Sequence, residues 1–342
     1  MEILKIEIKN ENKILSKLEE NIKNLGGNYD YNPIWQSIAW NLMLQKTGYI
    51  KKWFFIWIYE KNELKNYILI EKRSIWAGFY ALFVLWWPAN NYKINKLKDE
   101  LVNLWKEENV IYSQIEPLEN DIIFEWFKDI KLKNFIEKCT VLIDLEKSDQ
   151  EILALMKQKW RYNIKIAEKN DIKIEKVLNN EQNLNIFYNL LKETNSRDNF
   201  NINSLSYFKN FLDYLYENWL WWLYFAKKWG KVIVAWIFVF YGKTTYYYYG
   251  ASTSDNNFRK YMATYLLQWE MILEAKKRWC KIYDFLWVAC EDDKKSHLTW
   301  VSDFKLKLSQ NLKKWPKSQI YINKKAIFIL FYFKNFFKKF LK

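Results

Sequence analysis

Histidine and cysteine, two residue types common in catalytic and metal sites, are scarce in this chain. His297 is the single histidine, so metal sites and catalytic triads that need two histidines are excluded. Ser302 follows His297 at a distance of five positions, which is a weak pairing for nucleophilic catalysis. Cys139, Cys280 and Cys290 form no close pair, and we therefore expect neither a disulfide framework nor a zinc site. No conventional catalytic set stands out.

The charge balance points toward an acidic partner. The formal net charge of +15 suits nucleic acid, phosphate or an anionic membrane surface. The alternative is a solvated basic surface on a chain rich in Lys, Asn and Ile, and composition alone does not separate the two. The longest apolar runs, such as Phe79–Trp87 and Val232–Tyr241, are too short to span a bilayer, and Met1–Asn10 lacks the pattern of an export signal. We expect a cytoplasmic protein.

Tryptophan and glycine occur in unusual numbers, with 20 Trp against only 7 Gly. Several tryptophans stand where glycine is expected: Trp229 in a hairpin-like turn, Trp279 at the end of a helical pattern, and Trp160 in a polar run. We hypothesise that many UGA codons of this gene encode glycine and appear here as tryptophan; the alternative is an unusually aromatic protein. Trp40 and Trp269 look genuine. The suspected positions are Trp86, Trp87, Trp160, Trp221, Trp222, Trp229, Trp236, Trp279, Trp287, Trp300 and Trp315.

The elements that must position these residues follow the same order twice: three strands, a helix and one more strand. In the first half they are Trp53–Glu60, Lys65–Lys72, Ala81–Trp87, Ile94–Glu107 and Val110–Glu116. In the second half they are Leu220–Lys227, Lys231–Tyr241, Thr244–Gly250, Arg259–Lys277 and Lys281–Leu286. The remaining predicted elements are Glu2–Ile8, Lys13–Asn24, Gln36–Lys46, Thr140–Leu145, Asp149–Lys169, Ile172–Val177, Asn183–Thr194 and Ser204–Glu217.

That repeated order is the core of the GNAT acyltransferase fold, and it predicts an α/β (α+β) protein with two GNAT-like domains in tandem. We place the first domain at residues 1–139 plus 317–342 and the second, with the acyl-transfer site, at residues 140–316. Such a fold separates two neighbouring strands, so that exposed backbone N–H groups can polarise an acyl carbonyl.

The second half also carries a series of short motifs whose order and spacing are distinctive. They are Lys157-Gln-Lys-Trp-Arg161-Tyr162-Asn163, Glu193-Thr-Asn-Ser-Arg197, Tyr247 to Ser252, Leu266-Leu-Gln-Trp269-Glu270, Tyr283-Asp-Phe-Leu-Trp287 and Asp303-Phe304-Lys305. Together they resemble the Fem family of aminoacyltransferases, with Trp287 standing where the family motif has glycine. Gln36-Ser37-x-x-Trp40 and Glu116-Pro117 match the family's first half more loosely.

The resemblance implies transfer of an amino acid from aminoacyl-tRNA to the stem-peptide amine of a peptidoglycan precursor, either lipid II or UDP-MurNAc-pentapeptide. The aminoacyl-tRNA is a co-substrate, and no cofactor or metal is expected. Lys305 is then the candidate catalytic residue, and Phe304 can stack on the terminal adenosine. Arg161 and Arg197 suit contacts with tRNA. A monomer is expected.

The resemblance also implies an acceptor site. Glu116 fits a carboxylate near the acceptor amine, and Tyr207, Tyr247 and Tyr249 fall on positions that line the precursor cavity. Lys46 is the nearest basic residue to the place where the family often has a lysine for the precursor's diphosphate. The plainer interpretation puts Tyr247 and Tyr249 on one face of a strand, as parts of the core.

Two other functions stay open. An N-acyltransferase of the same fold could use acyl-CoA or another carrier, but Arg259–Tyr265 lacks the glycines that cradle a pyrophosphate. A non-catalytic tRNA- or membrane-binding protein would also explain the charge. The tail Lys324–Lys342 is basic and aromatic, so it can lie on an anionic membrane at its inner face or pack on the first domain, and we favour packing.

Overall fold

The computed structural model describes residues 2–7, 33–60, 63–87, 98–118, 132, 134–217, 220–293, 296 and 298–338. The strands are β1 (Glu2–Glu7), β2 (Lys52–Glu60), β3 (Glu63–Trp76), β4 (Phe79–Trp87), β5 (Tyr112–Pro117), β6 (Cys139–Asp144), β7 (Lys173–Val177), β8 (Trp221–Lys228), β9 (Lys231–Tyr241), β10 (Thr244–Ser252), β11 (Ile282–Val288), β12 (Leu312–Lys314) and β13 (Gln319–Ile322). The predicted helix Lys13–Asn24 lies outside the described residues.

The helices of the described residues cover the sheets and connect them. They are α1 (Ile38–Lys46), α2 (Lys98–Glu107), α3 (Asp149–Leu155), α4 (Gln158–Lys169), α5 (Glu181–Asp198), α6 (Leu205–Glu217), α7 (Asn256–Arg259), α8 (Ala263–Lys277), α9 (Thr299–Lys305) and α10 (Lys325–Lys338). The chain divides into two compact units. Among the described residues, the first contains 2–7 and those from 33–136 and 315–338, and the second contains those from 137–314.

The first unit is built on a six-stranded sheet in the order β1-β2-β3-β4-β5-β13. All pairs are antiparallel except β4 with β5, which run parallel because α2 connects them. Leu101, Leu104 and Trp105 of α2 are buried in one cluster with Phe54 and Ile70 of the sheet. The apolar face of the helix therefore covers one face of the sheet.

The second unit repeats this arrangement on a seven-stranded sheet in the order β12-β6-β11-β10-β9-β8-β7. The strands β10 and β11 run parallel and are joined by α8. Helices α4 and α8 contribute Ile164, Leu267 and Ile272 to a core that includes Phe238 and Tyr283 of the sheet. Two mixed α/β sheets of this order confirm the predicted fold class, with GNAT-like topology in each unit.

Two long predicted helices are each divided in the structure. Asp149–Lys169 was wrong as a single helix because α3 ends at Leu155, and Met156 and Lys157 both have ψ 143°, outside the helical range. Arg259–Lys277 was wrong for a similar reason, since Met262 adopts φ 55° between α7 and α8. Helical periodicity continues through both breaks, so apolar spacing alone did not reveal them.

The expectation of no disulfide is also wrong. Cys139 at the start of β6 and Cys290 just after β11 form a disulfide across a sequence separation of 151 residues. The pairing became possible because β6 and β11 are antiparallel neighbours, with Val288 opposite Cys139. Cys280 is buried as a free thiol.

The C-terminal helix packs on the first unit as predicted. Phe328 and Phe331 are buried on α10, with ring centroids 5.5 and 5.6 Å from that of Tyr112. Ile329 and Leu330 on the same helix are 52% and 61% exposed. None of the helices in the described part of the chain is long and apolar enough to cross a membrane.

Candidate acyl-transfer site

The two central strands of the second unit separate partway along their length. β10 and β11 pair from Thr244 opposite Ile282 to Tyr246 opposite Asp284. Beyond that point β10 pairs with β9 alone, whereas β11 pairs with β6, where Trp287 lies opposite Thr140. Beyond Tyr246 and Asp284 the two strands no longer pair with each other. The Leu286 N–H donates instead to the Asp284 carboxylate, and the Trp287 carbonyl accepts from Lys305.

Lys305 lies beside this gap at the end of α9, and its side chain is only 6% exposed. Its Nζ donates a hydrogen bond to the Trp287 carbonyl at 2.9 Å and lies 5.6 Å from the Tyr247 ring centroid. Burial lowers the pKa of Lys305 to about 7, although the nearby Asp284 carboxylate acts in the opposite direction. At neutral pH this amine can therefore either donate or accept a proton.

Asp284 is a fully buried carboxylate that sequence reasoning did not select as a site residue. It accepts hydrogen bonds from the Leu286 N–H at 2.7 Å and from the Thr140 hydroxyl. Leu286 has φ 54°, which turns β11 at an irregularity between Asp284 and Trp287. Asp284 thus fixes the backbone whose Trp287 carbonyl holds Lys305. The signal in the sequence was a lone acid inside an apolar strand.

Phe304 lies in an aromatic cluster beside Lys305. Its ring centroid is 5.1 Å from that of Trp160, 5.8 Å from that of Tyr265 and 6.5 Å from that of Trp236. Trp236 in turn lies 4.7 Å from Tyr247. Trp160 and Trp236 are 1% and 3% exposed, so their indoles fill the space in front of Phe304.

The predicted acceptor tyrosines of β10 do not share one face. A bulge at Tyr248 shifts the register, so that Tyr247 lies opposite Phe238 and Tyr249 lies opposite Ile237. Tyr247 therefore packs into the core beside Lys305, which corrects the expectation of a common face. Tyr249 packs instead on α6.

On that other face, Tyr207 and Tyr249 join one aromatic group. The Tyr249 ring lies 5.0 Å from Phe208, and Tyr207 lies 5.4 Å from Phe208 and 5.7 Å from Phe211. Asn203 donates a hydrogen bond of 3.5 Å to the Tyr249 hydroxyl. The structure brings Tyr247, Phe304 and Lys305 together and groups Tyr207 with Tyr249.

The two candidate arginines are engaged with backbone. Arg161 donates to the carbonyls of Leu153 and Ala154 and to Met156, so it caps the end of α3. Arg197 makes a two-point ion pair with Asp198, both contacts 2.9 Å, and donates to backbone at the end of β10. Their assignment to tRNA stays a prediction.

In the first unit, Glu116 is a buried carboxylate at the end of β5. It accepts hydrogen bonds from Phe135 N–H at 2.8 Å, Ile136 N–H at 3.0 Å and the Gln114 amide at 2.8 Å. Burial raises the pKa of Glu116 to about 7 despite these bonds and the positive charge of Arg73. At neutral pH the protonated and ionised forms of Glu116 are therefore populated to a similar extent.

Sequence reasoning missed a second buried pair in the first unit. Glu71 and Arg73 on β3 are 1% and 9% exposed and form an ion pair with contacts of 2.7 and 2.5 Å. The Arg73 guanidinium lies 4.2 Å from the centroid of Phe135, whose N–H donates to Glu116. Arg73 therefore stabilises the segment Phe135–Ile136, whose N–H groups donate to Glu116. The available signal was the charged run Glu71-Lys72-Arg73 directly after the apolar run Tyr67–Ile70.

Each unit has a cavity of ligand size. In the first, a cavity of about 660 Å³ is lined by Gln45, Thr47, Lys51 and Tyr80, next to the exposed Lys46. In the second, a cavity of about 480 Å³ has Asp303 and Leu306, the sequence neighbours of the Phe304-Lys305 pair, in its wall. The other lining residues are Lys157, Ala289, Cys290, Glu291, Asp293, Thr299, Ser302, Gln310 and Leu312. Within the described residues, no group of acids, histidines or cysteines could hold a metal ion.

Comparison with known proteins gives the arrangement a family context. The FemAB family matches residues 55–227 and 224–310. A lipid II:glycine glycyltransferase of Staphylococcus epidermidis is 33% identical over 93 residues, which is 27% of this chain and 22% of that protein. The Staphylococcus aureus protein of the same name is 26% identical over 145 residues, covering 38% of this chain and 34% of the relative. The chain thus aligns with about a third or less of these relatives' length.

Solved structures agree in fold. The crystal structure of FemX covers 96% of this chain and 99% of its own, with a TM-score of 0.80 at 17% identity. A tandem GNAT protein from the clavulanic acid biosynthesis pathway covers 94% of this chain and 98% of its own, with a TM-score of 0.52 at 8% identity. At such identities the likeness concerns the fold.

Proposed function

The chain belongs to the FemAB family, and we propose that it moves an amino acid from aminoacyl-tRNA to the stem-peptide amine of a peptidoglycan precursor. The observation that carries this proposal is Lys305, a buried amine between separated strands and beside Phe304. The relatives named as lipid II:glycine glycyltransferases support the choice of acceptor. Lipid-linked and UDP-linked precursors offer the same amine, and both belong in the test.

The proposed chemistry is attack of the acceptor amine on the ester carbonyl of aminoacyl-tRNA. A bond forms between nitrogen and carbon, and the carbonyl oxygen takes negative charge, which we propose that backbone N–H groups beside the strand gap stabilise. The neutral Lys305 amine accepts the proton released by the attacking nitrogen. The ammonium then returns that proton to the tRNA ribose oxygen as the carbon–oxygen bond breaks. No charge remains on Lys305 after one cycle.

The other candidates take supporting roles in this proposal. Phe304 stacks on the terminal adenosine, and Arg161 and Arg197 contact tRNA phosphates through N–H groups left over from their backbone bonds. Tyr207, Tyr247 and Tyr249 contact the acceptor.

Two residues of the first unit remain candidates for acceptor recognition. Glu116 is the candidate carboxylate for the acceptor, and burial raises its pKa to about 7. Lys46 is exposed beside a cavity of about 660 Å³ and takes the diphosphate. No cofactor beyond the aminoacyl-tRNA enters the reaction.

A transfer assay tests the function. The protein is incubated with charged tRNAs and either lipid-linked or UDP-linked precursor, and the precursor mass is measured. We expect a gain of one amino acid, which Lys305→Met slows by about 10²- to 10⁴-fold. Lys307→Met should leave the rate unchanged, because Lys307 is exposed two residues away. No addition with any aminoacyl-tRNA, together with turnover of acyl-CoA, would replace this proposal by the acyl-CoA-dependent alternative.

We place the protein in the cytoplasm, in peripheral contact with the anionic inner face of the membrane through α10. The exposed Ile329 and Leu330 and the exposed Lys325 provide apolar insertion and positive charge on one helix. The buried Phe328 and Phe331 keep that helix anchored on the first unit during contact. A lipid-linked acceptor would benefit from this placement.

A further inference from the structure

Trp229 occupies a turn position that suits glycine. Lys228 and Lys231 pair at the end of β8 and β9, so Trp229 and Gly230 form a two-residue hairpin loop. Their φ angles are 49° and 78°. A two-residue loop with positive φ at both positions is the type I′ turn, which favours Gly, Asn or Asp at its first position. The Trp229 side chain is 76% exposed, so burial offers no compensation for the strained backbone.

Trp279 occupies a helix cap that also suits glycine. Trp279 N–H donates to the Lys276 carbonyl at 2.9 Å, and Cys280 N–H donates to the Ala275 carbonyl at 3.1 Å, which is the Schellman pattern at the end of α8. Trp279 has φ 61° and is 87% exposed. At the ends of α2 and α4 the same left-handed position is held by Asn109 and Asp171, which tolerate it.

Ala77, Met262 and Leu286 also have positive φ, so a second kind of observation is needed. The buried indole nitrogens of Trp160 and Trp287 make no hydrogen bond. A buried indole N–H normally finds an acceptor, because leaving it unpaired costs free energy. The same feature occurs at a tryptophan outside the suspected set, so at positions 160 and 287 it accompanies the preference for glycine and does not establish it.

Trp236 on β9 is the third buried tryptophan at which glycine is inferred, and it faces β10. It lies on β9 across from Gly250, and its indole nitrogen would stand 3.1 Å from a Cβ at Gly250. The ring centroids of Tyr247 and Phe304 lie 4.7 and 6.5 Å from the centroid of the same indole. Trp160 and Trp236 therefore both lie beside the Phe304 ring, with centroids 5.1 and 6.5 Å from its centroid.

We infer that the natural protein has glycine at positions 160, 229, 236, 279 and 287, and that glycine at 160 and 236 opens a binding pocket beside Phe304 and Lys305. Two vacated indole side chains leave about 300 Å³, near the lower end of the range for small-molecule sites. The inference of the glycines and the pocket rests on the proposed function only for the identity of the ligand.

The walls of that pocket define the chemistry of its occupant. Phe304, Tyr265 and Tyr247 now hold two planar aromatic rings at centroid distances of 4.5 to 6.5 Å. When those rings are absent, the same aromatic walls can contact a planar heteroaromatic ligand in the tilted and edge-to-face arrangements that the indoles adopt now. Lys305 lies beside Tyr247 and can meet an ester or carboxyl group attached to that ligand. A purine nucleoside esterified with an amino acid has this combination.

Residue identity is tested on protein isolated from its source organism. Mass spectrometry of peptides spanning the five positions distinguishes glycine from tryptophan by residue mass. Glycine at 160 and 236 supports the inference, and tryptophan at both positions overturns it whatever the activity of the protein. Peptides containing Trp40 and Trp269 serve as internal controls, since we expect tryptophan there.

The pocket is tested with recombinant protein. Kd for a non-hydrolysable amide analogue of aminoacyl-adenosine is measured for the chain with tryptophan at positions 160 and 236 and for Trp160→Gly/Trp236→Gly. We expect about tenfold or more tighter binding in the double variant, the scale of one base–aromatic stack. Equal binding overturns the pocket. The control is Trp53→Gly, whose indole is hydrogen-bonded to Gln45 at 3.0 Å in the first unit, and which should gain no affinity.

Two further measurements distinguish failure of the pocket from failure of the proposed function, and test glycine at position 279 by itself. If the double variant binds the analogue but transfers nothing to a precursor, the pocket stands and the proposed function falls. For folding, Trp279→Gly should raise Tm by about 2–4 °C, while Trp279→Ala should raise it less because it keeps a Cβ at positive φ. Equal Tm values for the two variants would count against glycine at position 279.

Discussion

Replacing Lys305 by methionine tests whether a buried amine titrates near neutral pH in this fold. Methionine keeps an unbranched apolar side chain and removes the amine that donates to the Trp287 carbonyl. In the unfolded chain the lysine pKa is near its ordinary value of 10.5, whereas burial in the folded chain lowers it to about 7. Between these values the unfolded chain binds one proton more, so the free energy of unfolding rises with pH.

The size of the effect follows from the same linkage. The natural protein should gain about 1.4 kcal/mol of unfolding free energy per pH unit relative to Lys305→Met, from near pH 7 upward. Over the whole interval between the two pKa values the gain is on the order of 5 kcal/mol. Below pH 7 both states hold the proton, and the difference between the two proteins becomes constant. In that range the methionine variant has no buried ammonium to accommodate.

Urea unfolding at a series of pH values, followed by circular dichroism, measures this difference. Lys307→Met controls for loss of a lysine at an exposed position of the same segment. Parallel pH curves for the natural protein and Lys305→Met would refute the depressed pKa and with it the role of a neutral amine. In the transfer assay, Lys305→Met should lose about 10²- to 10⁴-fold in rate, as expected for removal of a general base.

Three further predictions concern other groups. Glu116→Gln should stabilise the protein relative to the natural chain increasingly from pH 4.5 to about 7, since burial raises the pKa of this acid and the folded state holds its proton longer; pH-dependent urea unfolding checks this. Leu330→Glu should weaken sedimentation with anionic vesicles without lowering Tm, because the side chain is 61% exposed; unchanged binding would remove α10 from the membrane surface. Cys290→Ser should lower the unfolding free energy by about 2–4 kcal/mol, with no loss in reducing buffer, because the disulfide with Cys139 closes a loop of 151 residues.

Most of the architecture could be predicted because local pattern and tertiary environment agree. The runs Lys231–Tyr241 and Thr244–Gly250 are apolar and β-branched or aromatic, and they form β9 and β10 within two residues of the predicted limits. The breaks at Met156 and Met262 were missed because no glycine or proline marks them. Each is decided by the direction in which the next helix must pack, which is a tertiary property.

Part of the candidate site could be predicted from the sequence. Phe304 and Lys305 were selected by motif resemblance, and the structure adds the partners that give Lys305 its chemistry: the Trp287 carbonyl, Tyr247 and Asp284. No spacing rule predicts these contacts, because they join three separate elements. The bulge at Tyr248 likewise has no local signal.

The chain by itself determined the repeated order of strands and helices, the excess of tryptophan over glycine, and the motifs that end at Lys305. These follow from side-chain type and spacing, which act over a few residues. Only the tertiary structure decided that Cys139 meets Cys290, that Tyr247 and Tyr249 face opposite ways, and that Trp229 and Trp279 lie at positive φ. Burial, register and left-handed backbone arise where distant segments meet, and so they set the pKa of Lys305 as well.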